Sequence, residues 1–309
     1  MDKIICVAGP TASGKTALAV ELAKLTDGEV ISCDSMQVYR RMNIGTAKPS
    51  FDEMEGIPHH MLDVAEPDED FSVSRYCELA TPILEDILAR GKTAIVAGGT
   101  GLYMDALIRG NDFAPFPSTG MREKLERQAD AEGTEKMLSR LRSIDPDAAA
   151  RLHPADRKRI IRALEVWYET GETITAHNLK TQAIPPRFAP LWLGLDFENR
   201  QDLYDRIDRR VGIMLEQGLV EEIQGLLHSG IPEKCTAMQA IGYKEFVAAL
   251  RGDMTIDQAA DEVRKASRHY AKRQLTWFRR NKAMHWLTRK GPQDEILARA
   301  RQHIREIDN

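Results

Sequence analysis

The chain has 309 residues, 42% hydrophobic and 29% charged, with a formal net charge of −4; this length suggests two domains, and the composition is that of a soluble globular protein. No apolar run approaches the ~18 residues of a membrane span, and the first residues lack a signal-peptide pattern, so no membrane partner is expected. Cys6, Cys33, Cys77 and Cys235 are scattered without C-x-x-C spacing, which argues against a metal or disulfide framework and points to a reducing cytoplasm.

The apolar run Ile4–Ala8 predicts a buried strand. Gly9-Pro10-Thr11-Ala12-Ser13-Gly14-Lys15-Thr16 follows and leads into the helix-periodic stretch Ala17–Leu25. Strand, glycine-rich loop and helix form the context in which G-x-x-x-x-G-K-[ST] cradles phosphates. The glycines let backbone N–H groups curl inward, and the helix dipole points its positive end at the same spot. Lys15 adds a mobile cation, and the Thr16 hydroxyl suits Mg²⁺. The cradle predicts a diphosphate or longer chain and does not say what hangs from it. Glu29–Cys33 predicts a second strand, and Asp34 stands at its carboxyl end, where ligands sit in open α/β sheets. Asp34 or Ser35 reads equally well as merely the cap of a short helix. A turn at Asn43–Thr46 and a polar surface stretch from Pro49 to Pro58 follow. His59 and His60 lack a third ligand at metal spacing and are expected to be structural.

Phe71–Leu88 has helical periodicity and Thr93–Ala97 predicts another buried strand, followed by a second glycine turn, Gly98-Gly99-Thr100-Gly101. Its glycines predict close approach of something to the backbone, with Thr100 among them. Phe113–Pro117 then interrupts the rhythm. Stretches at Met121–Glu132, Thr134–Ile144, Pro146–Leu152 and Ala155–Tyr168 are all helical, and Ile184-Pro185-Pro186 closes the block. Such proline-marked ends predict an inserted helical subdomain at 114–189, with 1–113 and 190–309 as the core. Within it, Lys158 and Arg162 share a helix face from which Ile160, Ile161 and Leu164 turn away. Leu191–Leu195 resumes the strands. In the helix Asn199–Glu216, the arginines at 206, 209 and 210 are placed either to reach a phosphate leaving group or to be plain surface charge. Arg264–Lys290 holds ten Lys and Arg and no acid, leaving −14 on the rest (−4 − 10). Tyr270, Trp277, Phe278 and Trp286 interleave with these cations, a pattern suited to stacking on unpaired bases and contact with phosphate, though several rings are also needed in the core. Ala283–Leu287 predicts a last strand.

A small-molecule P-loop kinase accounts for the cradle and leaves the basic strip unexplained. A nucleotide-switched RNA-binding protein would call for an N-K-x-D guanine-reading motif, and none is evident; prenyl transfer to free AMP or ADP needs neither the strip nor the insert. Gly-Pro-Thr-Ala-Ser-Gly-Lys-Thr at 9–16, Asp-Ser-Met-Gln-Val-Tyr at 34–39, Gly-Gly-Thr-Gly-Leu-Tyr at 98–103 and Ala-Lys-Arg-Gln-Leu-Thr-Trp-Phe-Arg at 271–279 together resemble the tRNA dimethylallyltransferase family, bacterial type, across nearly the whole chain. The resemblance implies a P-loop NTPase-like parallel sheet flanked by helices, with the inserted all-helical subdomain. It implies transfer of a dimethylallyl group from dimethylallyl diphosphate to N6 of adenosine 37 in tRNA, with a cradle that binds diphosphate rather than ATP and with Mg²⁺ on Thr16. Asp34 would take the proton, Thr100 would bond near the reacting group, and Lys15 with Arg209, preferred over Arg210, would assist diphosphate. The tRNA side would involve Asp34, Ser35, Met36 and Gln37, Thr100, Arg122, Lys158, Arg159, Ile160, Ile161 and Arg162, and Gln239, Ala240, Ile241, Gly242, Tyr243 and Lys244. Insert and basic strip would then grip the anticodon stem-loop of one tRNA, with the protein acting as a monomer.

Overall fold

The computed structural model describes residues 2–110, 119–290 and 293–308. Six strands form one parallel sheet: β1 Ile4–Ala8, β2 Gly28–Ser32, β3 His59–His60, β4 Thr93–Gly98, β5 Leu191–Phe197 and β6 Met284–Arg289, in the order β3-β2-β4-β1-β5-β6. Parallel sheets are covered on both faces, which is why these strands read as continuous apolar runs; every residue of β1 is buried. Ile5, Val7, Val30, Ile95, Leu193 and Leu287 pack with Leu18 and Leu22 of the helix Lys15–Thr26 and Ile296 of the helix Gln293–Asp308.

The chain leaves β1 toward β2 on one side and later crosses to β5 on the other, so the sheet reverses direction beside β1. Ligands in such sheets bind outside the strand carboxyl ends at this reversal. Register brings the loops level there: Ala8 pairs with Gly98 and with Gly194, and Ser32 pairs with Ala97. The phosphate loop, the second glycine turn and Asp34 therefore emerge side by side.

Two compact units divide the chain, Met1–Gly110 with Arg187–Asn309, and Asn111–Pro186. In the larger unit, the amides of Arg187 and Phe188 donate to the carbonyls of Arg109 and Ile108, so the chain re-enters where it left. The smaller unit is helical: Met121–Glu132, Thr134–Ile144, Pro146–Ala149, Arg157–Thr170 and Ile174–Ala183 surround Leu125, Met137, Leu141, Ile160 and Leu164. Its buried Asp145 accepts from the amides of Ala148 and Thr175 and from the Thr175 hydroxyl, locking two helix starts together. The expected interruption at Phe113–Pro117 lies outside the described residues.

Candidate active site

The loop Gly9–Gly14 turns from β1 into the helix Lys15–Thr26 through backbone that only glycine adopts freely: Gly14 has φ 91°, and Gly9 lies against Leu195. Ala12 takes φ 62°, an uncommon conformation for a non-glycine residue. The Lys15 ammonium donates to the Pro10 carbonyl at 2.7 Å, folding back over the loop. The Ser13 hydroxyl is buried and has no hydrogen-bond partner among the described residues. Two arginines from distant segments hold the outward carbonyls of the loop. Arg206 Nε donates to Ala12 O at 2.8 Å, and Arg289 Nη2 at the end of β6 donates to Ser13 O at 3.4 Å.

Arg210, rather than Arg209, faces this cradle. In the helix Arg200–Glu216 the buried stripe is Leu203, Ile207 and Val211. At about 100° per residue Arg210 falls on that stripe and Arg209 about 100° away from Arg210, and Arg209 is exposed. Burial lowers the Arg210 pKa, Asp34 and Glu53 oppose that, and Arg206 adds to it. Burial and then the charge of Arg210 push Lys15 down to about 8, while Asp34 pulls the other way. Lys15, Arg210 and Asp34 thus sense one another's charge, and the expectation placed on Arg209 moves to its neighbour.

Asp34 caps a turn rather than the short helix that one reading expected. Its Oδ1 accepts from the amides of Met36 at 2.9 Å and Gln37 at 3.4 Å, the turn-capping role, while Oδ2 has no hydrogen bond among the described residues. Thr100 lies beside it: its hydroxyl accepts from Ser35 N at 3.0 Å, and its amide donates to Cys33 O. The second glycine turn is not another phosphate cradle. What approaches its backbone is the protein itself: a Cβ at Gly98 would sit 1.9 Å from Cys33 O, at Gly99 2.1 Å from Gln274 Nε2, and at Gly101 2.2 Å from the Trp277 ring. Gln274, which stands in the sequence as one letter of a motif, is buried and bonds both loops, accepting from Thr11 N and donating to Gly99 O. Trp277 donates to Asp105 at 2.8 Å. The Trp277 ring is thus fixed against Gly101 and Asp105.

The residues expected at the tRNA differ in exposure. Ile160 and Ile161 are core of the helical unit, and a buried side chain has no surface to offer a ligand. Tyr243 is fully buried; its hydroxyl donates to Glu222 at 2.7 Å, and Glu222 in turn accepts from the amides of Asn43, Ile44 and Gly45. Gly242 is buried, Ala240 and Ile241 are half-buried, and Gln239 and Lys244 are exposed. Gln37 is tied to the turn after it, donating to Thr46 O and Ala47 O. In the helical unit Lys158 and Arg159 are exposed. Arg122 and Arg162 share Glu165, whose carboxyl burial would raise but whose two arginine bonds hold it below its usual range. The basic strip is also less bare than its composition. Asp208 pairs with Arg268, Asp196 with Arg279 and Glu198 with Lys290, acids supplied by the segment 196–208. Phe278 is buried, and Tyr270, Trp277 and Trp286 are half-buried. His59 bonds Ile57 O and His60 bonds Glu29, structural roles on edge strand β3. All four cysteines are free. Among the described residues there is no cluster of His, Cys, Asp and Glu able to hold a metal, and no helix long and apolar enough to cross a membrane.

A family model described as IPP transferase matches residues 37–281. A tRNA dimethylallyltransferase of Acetivibrio thermocellus is 45% identical over 290 residues, 94% of this chain and 92% of that one, and one of Thermoanaerobacter sp. is 46% identical over 286 residues, 92% and 91%. Among solved structures, the full-length tRNA isopentenylpyrophosphate transferase of Bacillus halodurans matches with a TM-score of 0.75 at 40% identity, covering 99% of this chain and 96% of its own. A eukaryotic dimethylallyltransferase acting on tRNA matches with a TM-score of 0.80 at 32% identity, covering 93% and 74%.

Proposed function

The chain belongs to the tRNA dimethylallyltransferase family, and from that premise we propose that it moves a dimethylallyl group from dimethylallyl diphosphate to N6 of adenosine 37 in tRNA, releasing diphosphate. The names its relatives carry support transfer to tRNA over a small-molecule kinase or a free-nucleotide prenyltransferase. The observation that carries the chemistry is the common field of Lys15, Arg210 and Asp34 at the carboxyl ends of neighbouring strands. It sets cations for a leaving anion beside a carboxylate for an incoming nucleophile.

The donor's diphosphate lies in the amide-lined loop, near Lys15 and Arg210. The N6 lone pair attacks C1 of the dimethylallyl group, the C1–O bond breaks, and its electron pair leaves with diphosphate. The cradle stabilises the charge that grows there, an effect largest in a dry, pre-organised site. N6 is a poor nucleophile because its lone pair is shared with the ring; as the C–N bond forms the nitrogen turns acidic, and Oδ2 of Asp34 accepts its proton. Thr100, held by Ser35, fixes the carboxylate's turn.

Thr16 fits a Mg²⁺ site: its half-exposed hydroxyl makes no hydrogen bond among the described residues, and Mg²⁺ takes few protein ligands when phosphate oxygens fill the rest. When bound, Mg²⁺ neutralises part of the diphosphate charge. The base must leave its stack to reach the site, at a cost of a few kcal/mol. Exposed Lys158 and Arg159 on the helical unit and Lys244 on the larger one contribute contacts with the phosphate backbone, and the protein works as a monomer. Incubation with unmodified tRNA and labelled dimethylallyl diphosphate, with ATP in parallel, tests the reading: label in tRNA supports it, and ATP turnover without label in tRNA refutes it.

A further inference from the structure

The two loops that the proposed reaction depends on are joined by one side chain from the far end of the chain. Gln274 Oε1 accepts from Thr11 N at 2.9 Å, and its Nε2 donates to Gly99 O at 2.9 Å. Gln274 is 5% exposed, so neither loop group can turn to water if the amide is removed. In a phosphate loop the backbone N–H groups are the anion's ligands; here the N–H of Thr11 is given to Gln274, which therefore shapes the loop instead of leaving that donor to the anion. On the other side, Gly99 precedes Thr100, whose hydroxyl holds Ser35, next to Asp34. Tyr270, half-buried, stands one turn earlier on the same face of the helix Ile256–Phe278. Trp277, one turn later, is fixed over Gly101 and to Asp105.

We infer that Gln274 is a positioning residue for the transfer step: through Thr11 and Gly99 it sets the separation between the diphosphate cradle and the Asp34–Thr100 turn. Resting on the family reading above, the inference is geometric. Nucleophile, carbon and leaving oxygen must line up; the cradle places one end of that array and Asp34 the other. Strand register brings the two loops level, and the buried amide, bonded to both at 2.9 Å, ties their tips to one another. Glycine at 99 leaves room for this amide: a Cβ there would stand 2.1 Å from Gln274 Nε2 and displace it.

The test is single-turnover prenyl transfer with enzyme in excess over labelled tRNA, because its rate constant reports the chemical step while its amplitude reports the active fraction. Gln274→Met keeps chain length and removes both bonds; its rate constant is expected to fall by about 10²-fold, the scale of a misplacement near 1 Å, with the KM for tRNA within about twofold of the parent's. Gln274→Glu still accepts from Thr11 and cannot donate to Gly99 when ionised, so its rate constant is expected between the two. A role in stability alone would lower the amplitude and the melting temperature while leaving the rate constant. A Gln274→Met rate constant within about twofold of the parent's overturns the inference and leaves the family reading standing; absence of transfer by the parent overturns both. Should Gln274→Met not fold, Gln274→Glu against the parent carries the test, a slower rate constant supporting the inference and parity overturning it.

Discussion

Raising the pH is expected to loosen the donor from the cradle through one side chain. Burial and the neighbouring charge of Arg210 push Lys15 from 10.5 down to about 8. With a pKa there, about 90% of the free protein carries a charged Lys15 at pH 7 and about 10% at pH 9. A bound diphosphate favours the charged form, so donor binding takes up a proton as pH passes through that value. If only charged Lys15 binds, the dissociation constant for dimethylallyl diphosphate rises about tenfold from pH 7 to pH 9. Equilibrium dialysis without tRNA measures this directly. Lys15→Arg binds with a flat profile over the same range, because a guanidinium does not titrate there. Arg210→Met moves the parent's step to higher pH by removing the repulsion, even as it weakens binding overall. A parent profile as flat as that of Lys15→Arg would refute the reasoning.

Asp34→Ala is expected to lower the transfer rate by about 10²–10⁴-fold while leaving tRNA binding intact; near-parental turnover would remove Asp34 from the base role. Arg210→Ala is expected to raise the KM for the donor and lower kcat, and Arg209→Ala to resemble the parent in both, which steady-state kinetics of the pair decides. Glu29 is a buried carboxylate bonded by Arg90, His60 and Lys92. The Arg90 bonds hold its pKa down against burial, with His60 and Lys92 adding to them. A depressed folded-state pKa gives stability that is complete above the unfolded value, about 4.3, and is lost as pH falls toward the folded one. Glu29→Gln is therefore expected to cost about 1–3 kcal/mol near neutrality, with thermal melts of the two proteins converging below the ordinary carboxylate range. Lys158→Ala combined with Arg159→Ala is expected to weaken tRNA binding and flatten its salt dependence, by about one unit of log–log slope for each phosphate no longer neutralised; unchanged slopes would return both residues to the solvated surface.

The parts of the site that sequence reading located are those whose chemistry is written in consecutive residues. The phosphate loop needs only its own glycines and the strand and helix beside it. Asp34 is found because a strand must end before it. The choice between Arg209 and Arg210 required the phase of a helix, which Leu203, Ile207 and Val211 supply once they are used as the ruler. Gln274 left no such mark: its partners are 263 and 175 residues away, and an uncharged amide on a helix carries no periodic or charge signal. The glycines at 98–101 are legible as sites of close approach, but that the visitors are the Cys33 backbone and, from the protein's own long helix, Gln274 and Trp277 is not. Asp196, Glu198 and Asp208 misled the charge count in the same way, because compensation between segments is invisible to a tally made along one of them. Ile160 and Ile161 had already been turned inward by helical phase, and the core around Met137 and Leu141 explains why they stay there.

The bracing of the cradle also has a bearing on how the protein is made. A ribosome delivers all three reactive loops within the first 101 residues, and domains fold from the amino end as they emerge. Gln274 and Arg289 follow more than 170 residues later. A nascent or prematurely ended chain therefore displays the whole phosphate-gripping signature with neither of those two props behind it. Competence for alkylation is thereby deferred until both props have been made, and a chain ended before them is expected to be inert rather than a reckless consumer of prenyl donor.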